Sequence, residues 1–227
     1  MSAALLENIV WHTLSGPQAP FSAGTATAKR YARGFPGFIG FPDAANPDLA
    51  AIAPHCAPGE HFYCLGWTGA VPPGWQLDAE AVVHQLVWDG PAPAPDESFT
   101  AAPLTPAHAG QVKLLFDLTK PGPYAERLID MGAFFGVFEG ERLVAMAGER
   151  MAAGSLREIS GVCTHPDFQG RGLARKLVCK LLRLQIARGQ TPFLHVMDHN
   201  PHARAMYERM GFRHHQGRPA RVVSLVG

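Results

Sequence analysis

The sequence predicts an α/β protein of α+β mixed type. A mixed, mostly antiparallel sheet with helices on both faces is expected over residues 96–227, preceded by a smaller α+β domain over residues 1–95. Three observations carry this. From residue 99 onward apolar residues repeat with strand and helix periods in the order β-α-α-β-β-β-α-β-α-β-β, a meander followed by a crossover helix. Prolines at 91, 93 and 95 make a stiff, non-helical segment that separates this half from the one before it. The stretch from Val162 to Ala174, Val-Cys-Thr-His-Pro-Asp-Phe-Gln-Gly-Arg-Gly-Leu-Ala, reads as a strand end, a glycine turn and a helix start.

In chain order, residues 1–95 are weakly patterned. Trp11 to Leu14 suits a strand or a helix end, Thr25 to Arg33 suits a helix, and Gly34 to Pro42 is turn-rich and aromatic. Strands are predicted at His61–Leu65 and Ala81–Trp88. After the prolines, Phe99–Leu104 reads as a strand, and Thr105-Pro106 caps and opens a helix reaching about Leu118. The loop Thr119–Pro123 leads to a short helix, Tyr124–Met131. Ala133–Phe138 and Leu143–Met151 are paired strands around a Glu-Gly-Glu turn, and Leu156–Val162 is a third. The helix Leu173–Ile186 carries apolar residues at 173, 174, 177, 178, 181, 182 and 186, the stripe of a helix packed on one face. Thr191–Met197 is a strand, Pro201–Met210 a helix, and Gly211-Phe212 and Ala220–Val226 the closing strands.

Composition bounds the function. With 47% hydrophobic and 17% charged residues over 227 positions the chain is of ordinary globular type, and its 20 Pro and 24 Gly are dispersed rather than repeated. No apolar run reaches the roughly 18 residues that span a bilayer, and no basic-then-apolar leader opens the chain. No membrane association and a cytoplasmic location are therefore expected. Cys56, Cys64, Cys163 and Cys179 are too few for a disulfide framework, and the spacing of Cys56 and Cys64 with His55 and His61 fits no usual zinc site. From residue 141 onward 14 Lys and Arg face 6 Asp and Glu, whereas residues 1–140 hold 6 against 13. The basic half suggests an anionic ligand. Its cations gather beside one helix start rather than along a stripe with aromatics, which argues against nucleic acid.

The glycine turn says which kind of anion site this is. Gly170 and Gly172 let the backbone present several N–H groups where the following helix points its positive end. Gln169-Gly-Arg-Gly-Leu-Ala174 resembles the Gln/Arg-x-x-Gly-x-Gly/Ala motif of the GCN5-related N-acetyltransferase (GNAT) superfamily. Asn200-Pro-His-Ala-Arg-Ala-Met-Tyr207-Glu-Arg-Met-Gly-Phe212 is similar to that superfamily's Asn-x-x-Ala-x-x-x-Tyr-x-x-x-Gly-Phe segment nearly position for position. The runs Arg142–Arg150 and Glu158–Thr164 look closest to its FR47-like branch. The resemblance covers the C-terminal half; for residues 1–95 a degenerate acetyltransferase-like half is one option.

The resemblance implies a GNAT fold and direct transfer of an acetyl group from acetyl-CoA, a co-substrate, to a primary amine. The amine is a small molecule, an amino acid or a peptide, with no metal involved. Cofactor contacts fall on Gln169, Gly170, Arg171, Gly172, Leu173, Ala174 and Arg175 at the phosphates, on the backbone of Val162, Cys163 and Thr164 along the pantetheine, and on Asn200. Cys163 is expected to be core rather than nucleophile. Gly161, alone within a strand, points to a bulge or a close backbone approach. Tyr207 matches the residue that donates to the departing thiolate.

Glu158 matches the base of histone-type members. A carboxylate near 4.3 and an amine near 10.4 differ by about 6 pH units, or about 8 kcal/mol, so a base here needs a raised pKa or a water relay. Otherwise Glu158 is a strand glutamate paired with Arg150 or Arg157. Of the histidines at 165, 195, 199, 202, 214 and 215, His195 is the alternative base. The acceptor pocket is expected at the Thr119–Tyr124 loop, Arg127 and the last strands. A non-catalytic acyl-CoA-binding module is the competing class, and the assembly is left open, a homodimer among the options.

Overall fold

Strand pairing across the whole chain organises the computed structural model, which describes residues 2–226. The strands are β1 Ser22–Gly24, β2 Lys29–Tyr31, β3 Phe38–Gly40, β4 His61–Leu65, β5 Trp75–Val87, β6 Ala102–Pro103, β7 Phe134–Glu139, β8 Arg142–Ala153, β9 Leu156–Thr164, β10 Thr191–Met197 and β11 Arg213–Leu225. They form one sheet in the order β1-β2-β3-β4-β11-β5-β10-β9-β8-β7-β6. Most neighbours are antiparallel; β3 with β4 and β9 with β10 are the parallel pairs. The helices are α1 Ser2–Glu7, α2 Ile9–Leu14, α3 Leu49–Ile52, α4 Ala109–Thr119, α5 Leu173–Ala187 and α6 Pro201–Met210.

The expected boundary near residue 95 does not separate two sheets. β5, from the N-terminal half, lies between β10 and β11 and pairs with both, from Phe193↔Val87 to Met197↔Val83 on one side and from Arg213↔Val87 to Leu225↔Trp75 on the other. The proline segment after β5 instead runs over the outside of α5. Arg183 donates to the Ala94 carbonyl at 3.1 Å, and Lys176 pairs with Asp96 at 3.0 Å while lying over the Phe99 ring. It ends in β6 at the far edge of the sheet.

Two cores follow from the strand alternation. On one face Ile159, Leu194 and Val196 meet Leu177, Val178, Leu181 and Leu182 of α5 and Tyr207 of α6. On the other, Phe134, Met146, Cys163 and Phe193 meet Leu6, Ile9 and Leu14 of α1 and α2 and Val112, Leu115 and Phe116 of α4. A third cluster, with Ile39, Phe62 and Trp75, sits under the β2–β4 end.

Several elements depart from expectation. Thr25–Arg33 is not helical: Thr25 Oγ1 accepts from the Ala28 N–H at 3.1 Å, closing a turn between β1 and β2. Tyr124–Met131 keeps only a 3-10 turn at Leu128–Met131, because the Arg127 N–H is spent on the Gly34 carbonyl at 2.8 Å. Phe99–Leu104 is reduced to β6, where Pro103 cannot extend a ladder. Gly211-Phe212 is the turn after α6 rather than a strand, and the closing strand is longer than expected: β11 begins at Arg213 and runs through Gly217 and Pro219 because β5 pairs along nearly its whole length. Pro219 is tolerated because its carbonyl, and so its nitrogen, turns to the β4 side just before pairing with β4 begins at Ala220↔Leu65.

Candidate active site

The site begins where two parallel strands part. β9 and β10 are in register from Leu156↔Thr191 to Ile159↔Leu194 and then separate, so Ser160–Thr164 faces a gap with the outer edge of its backbone unpaired. A bulge marks the same place: the β8–β9 register shifts between Gly148↔Ser160 and Met146↔Cys163, with Gly161 at φ 62°. The glycine is required twice over, since a side chain there would also come within 3.3 Å of Phe116. Thr164 Oγ1 is buried with no partner in this stretch.

Beyond Thr164 a 3-10 turn, Pro166–Phe168, delivers the glycine loop. Gly170 and Gly172 have φ 75° and 72°, and Gly172 is the N-cap of α5 without any side-chain cap. Among the described residues no group accepts from the N–H groups of Gly170, Arg171, Gly172, Leu173, Ala174 or Arg175; the next, Lys176, bonds the Gly172 carbonyl at 3.0 Å. Open N–H groups at a helix N-terminus form an anion cradle. The Arg171 guanidinium lies over Phe168 at 4.7 Å and is thereby held at the rim. Lys176, in the first turn of α5, is engaged by Asp96.

On the opposite wall stands α6. Asn200 caps it, its Oδ1 accepting from the Ala203 N–H at 3.1 Å, with Pro201 at the first helical position. Tyr207 is buried against Phe212, and no described group hydrogen-bonds its hydroxyl. Burial, then the nearby Cys163 thiol, raises its pKa above the usual phenol range, so it stays protonated. Cys163 is pushed up to about 12 by burial, against hydrogen bonds from Thr119 and Met146. A thiol so protonated is a poor nucleophile, in keeping with a core residue.

Glu158 meets the ion-pair expectation and not the requirement of a base. It is fully buried on the face covered by α1 and α2. Arg150 grips both oxygens, Nε to Oε2 at 2.9 Å and Nη2 to Oε1 at 2.6 Å; the Met151 N–H adds a bond at 3.2 Å and His195 Nδ1 another at 2.7 Å. Burial alone would raise its pKa, but the Arg150 charge, then His195 and their hydrogen bonds, hold it well below the usual carboxylate range. Arg157, the other expected partner, pairs with Glu149 at 3.1 Å.

His195 is no freer. Gln85 of β5 donates its Nε2 both to the Leu6 carbonyl and to His195 Nε2, each at 3.1 Å, while its Oε1 accepts from Gln216 at 2.6 Å. A flipped amide would set oxygen against the Leu6 carbonyl, so His195 is fixed as the neutral Nδ1–H tautomer. The network extends into the N-terminal half, where Gln18 donates to the Arg150 carbonyl at 2.6 Å and accepts from Tyr31. Gln18, Tyr31 and Gln85 carry no sequence signal: the bond from Gln85 to His195 joins positions 110 apart. Arg127, expected at the acceptor pocket, lies over Phe35 of the N-terminal half at 4.4 Å. Among the described residues no three His, Cys, Asp or Glu side chains gather as metal ligands, and no helix is long and apolar enough to cross a membrane.

Two parallel strands thus open beside a helix N-terminus with free N–H groups, with a buried phenol on the neighbouring helix. Residues 134–219 match the family described as FR47-like protein. An acetyltransferase of the GNAT family from Novosphingobium aromaticivorans is similar along nearly the whole length, with 32% identity over 98% of this chain and 99% of that one and a TM-score of 0.90. GCN5-related proteins from Kribbella flavida (14% identity, 99% and 96% coverage, TM-score 0.64) and Streptococcus suis (15%, 99% and 97%, 0.61) share the fold. The chain belongs to the GCN5-related N-acetyltransferase family, in its FR47-like branch, and acyl transfer is its class of reaction.

Proposed function

We propose that this enzyme transfers the acetyl group of acetyl-CoA directly to a primary amine of a small molecule, amino acid or peptide. The observation that supports it most is the continuity of the gap at Ser160–Thr164 with the open N–H groups of Gly170–Arg175. One end suits an extended amide-bearing arm that pairs like an added strand, the other its phosphates. Each charge-assisted bond contributes about 1.5–3 kcal/mol. Val162, Cys163 and Thr164 hold the arm, Gln169 to Arg175 the phosphates, and the unused Asn200 Nδ2 remains for a contact beside α6.

The amine nitrogen attacks the thioester carbonyl carbon, the C–S bond breaks, and the sulfur leaves as a thiolate. Tyr207 donates a hydrogen bond to that sulfur. Full proton transfer from a phenol near 10 to a thiol near 8.5 is uphill by about 2 kcal/mol, and burial of Tyr207 raises the barrier further. The amine's proton passes to water at the mouth of the gap, since Glu158 and His195 are both committed to buried partners. Glu158 positions His195 and closes the sheet beneath the reaction. Release of free thiol from acetyl-CoA with a panel of amines tests the proposal. Turnover with at least one amine is expected; a rise in melting temperature with acetyl-CoA but no thiol release with any amine would leave the binding module instead.

A further inference from the structure

Outside the gap, one cluster of titratable groups is unused by the reaction: His84 of β5, His214 of β11, Asp198 before α6 and Arg204 within it. His84 Nδ1 lies 3.1 Å from His214 Nε2. His84 Nε2 lies 2.9 Å from Asp198 Oδ1 and 3.2 Å from Arg204 Nη1. These last two contacts make opposite demands. The carboxylate needs an N–H on Nε2, whereas the guanidinium needs its lone pair. One nitrogen serves only one of them at a time. The His84 side chain is only 12% exposed, so water does not easily replace either partner.

We propose that His84 is a positioning residue for α6, and through it for Tyr207, by a proton-dependent choice between Arg204 and Asp198. Neutral, with its proton on Nδ1, His84 donates to His214 and accepts from Arg204, tying the first turns of α6 to β5. Protonated, it donates to Asp198 and to His214 and repels Arg204, which falls back on Glu208, already bonded to its Nε at 2.9 Å. The two rings share one proton between Nδ1 and Nε2 in either state. A second proton would set N–H against N–H and separate β5 from β11 here. The charged groups around the pair are Asp198, Arg204 and Glu208, with His199 near Asp198 and His215 near His214. Burial, then the Arg204 and His84 charges, lowers the His214 pKa. Tyr207 is on the next turn of the helix after Arg204.

The role in catalysis rests on the function proposed above, and the test separates the two. NMR titration of the full chain follows the His84 ring together with the backbone amides of Arg204 and Tyr207, without substrate. Both amides are expected to move with the midpoint of the His84 ring and to stop moving in His84→Gln, which keeps a donor but takes up no proton. Amides that ignore the His84 titration overturn the proposal. In thiol-release assays, dividing wild-type by His84→Gln turnover cancels the ionisation of the amine. That ratio is expected to fall about fivefold to tenfold as pH drops through the imidazole range. His214→Gln should shift the midpoint of the fall. A ratio independent of pH overturns the proposal. If the wild type releases no thiol at any pH, the reading of the enzyme fails, and the NMR titration still decides the role of His84.

Discussion

Glu158→Gln distinguishes a base from a buried ion-pair partner. The carboxylate accepts from Arg150 Nε and Nη2, the Met151 N–H and His195 Nδ1, with nothing left over for substrate. The amide has the same shape but a single acceptor oxygen, and in either orientation its NH2 must face the Arg150 guanidinium together with the His195 Nδ1–H or the Met151 N–H, donor against donor. Removing one partner of a buried pair costs about 3–5 kcal/mol. In a chain of this length each kcal/mol moves the melting temperature by about 2–4 °C, so a fall of about 6–20 °C is expected. The folded fraction, assayed well below its midpoint, should keep turnover within about tenfold of wild type, whereas loss of a general base costs about 10²–10⁴. The pH dependence has a definite sign. A carboxylate whose folded pKa is depressed contributes stability above its unfolded value of about 4.3 and loses it as pH falls toward the lower folded value. The melting-temperature gap between wild type and variant should therefore be full at neutrality and narrow only in acid. A variant that melts within about 2 °C of wild type yet loses about 100-fold in turnover would refute the reasoning and restore Glu158 as the base.

Tyr207→Phe keeps the ring packed on Phe212 and removes only the free hydroxyl; turnover in thiol release should fall about 10²-fold or more with little change in the affinity for acetyl-CoA. Gly172→Ala meets no neighbouring atom but places a Cβ at φ 72°, costing about 1–2 kcal/mol; calorimetric titration with acetyl-CoA should show about tenfold or more weaker binding, and unchanged binding would remove Gly172 from the cradle. Residues 96–227 expressed alone should not fold cooperatively, because β10 and β11 each lose β5; a sharp thermal transition in that fragment would show that β5 is dispensable.

What could be read from the chain follows from locality. The apolar stripe of α5, the Asn-Pro start and Gly211 end of α6, and the two glycines of the cradle are signals confined to a few residues, and the structure has α5 and α6 within a residue of where the periodicity puts them. The GNAT fold and the position of its glycine loop were legible for that reason. Residues 1–95 gave little because their elements are short, held by turns such as that of Thr25 and by contacts with the other half, as when Gly34 takes the Arg127 N–H.

The sequence by itself determined the class of reaction through its family resemblance, and the places of the glycine loop and of Tyr207 on α6, since each is written in a motif that folds locally. Only the tertiary structure decided that strands from both halves join in one sheet, because strand order is a matter of pairing between distant segments, and β5 fits between β10 and β11. It decided likewise that Glu158 is held ionised. A carboxylate's pKa depends on the charges and hydrogen-bond donors around it, and here these are the Arg150 guanidinium, eight residues away on the neighbouring strand, and the His195 Nδ1–H, brought in from another.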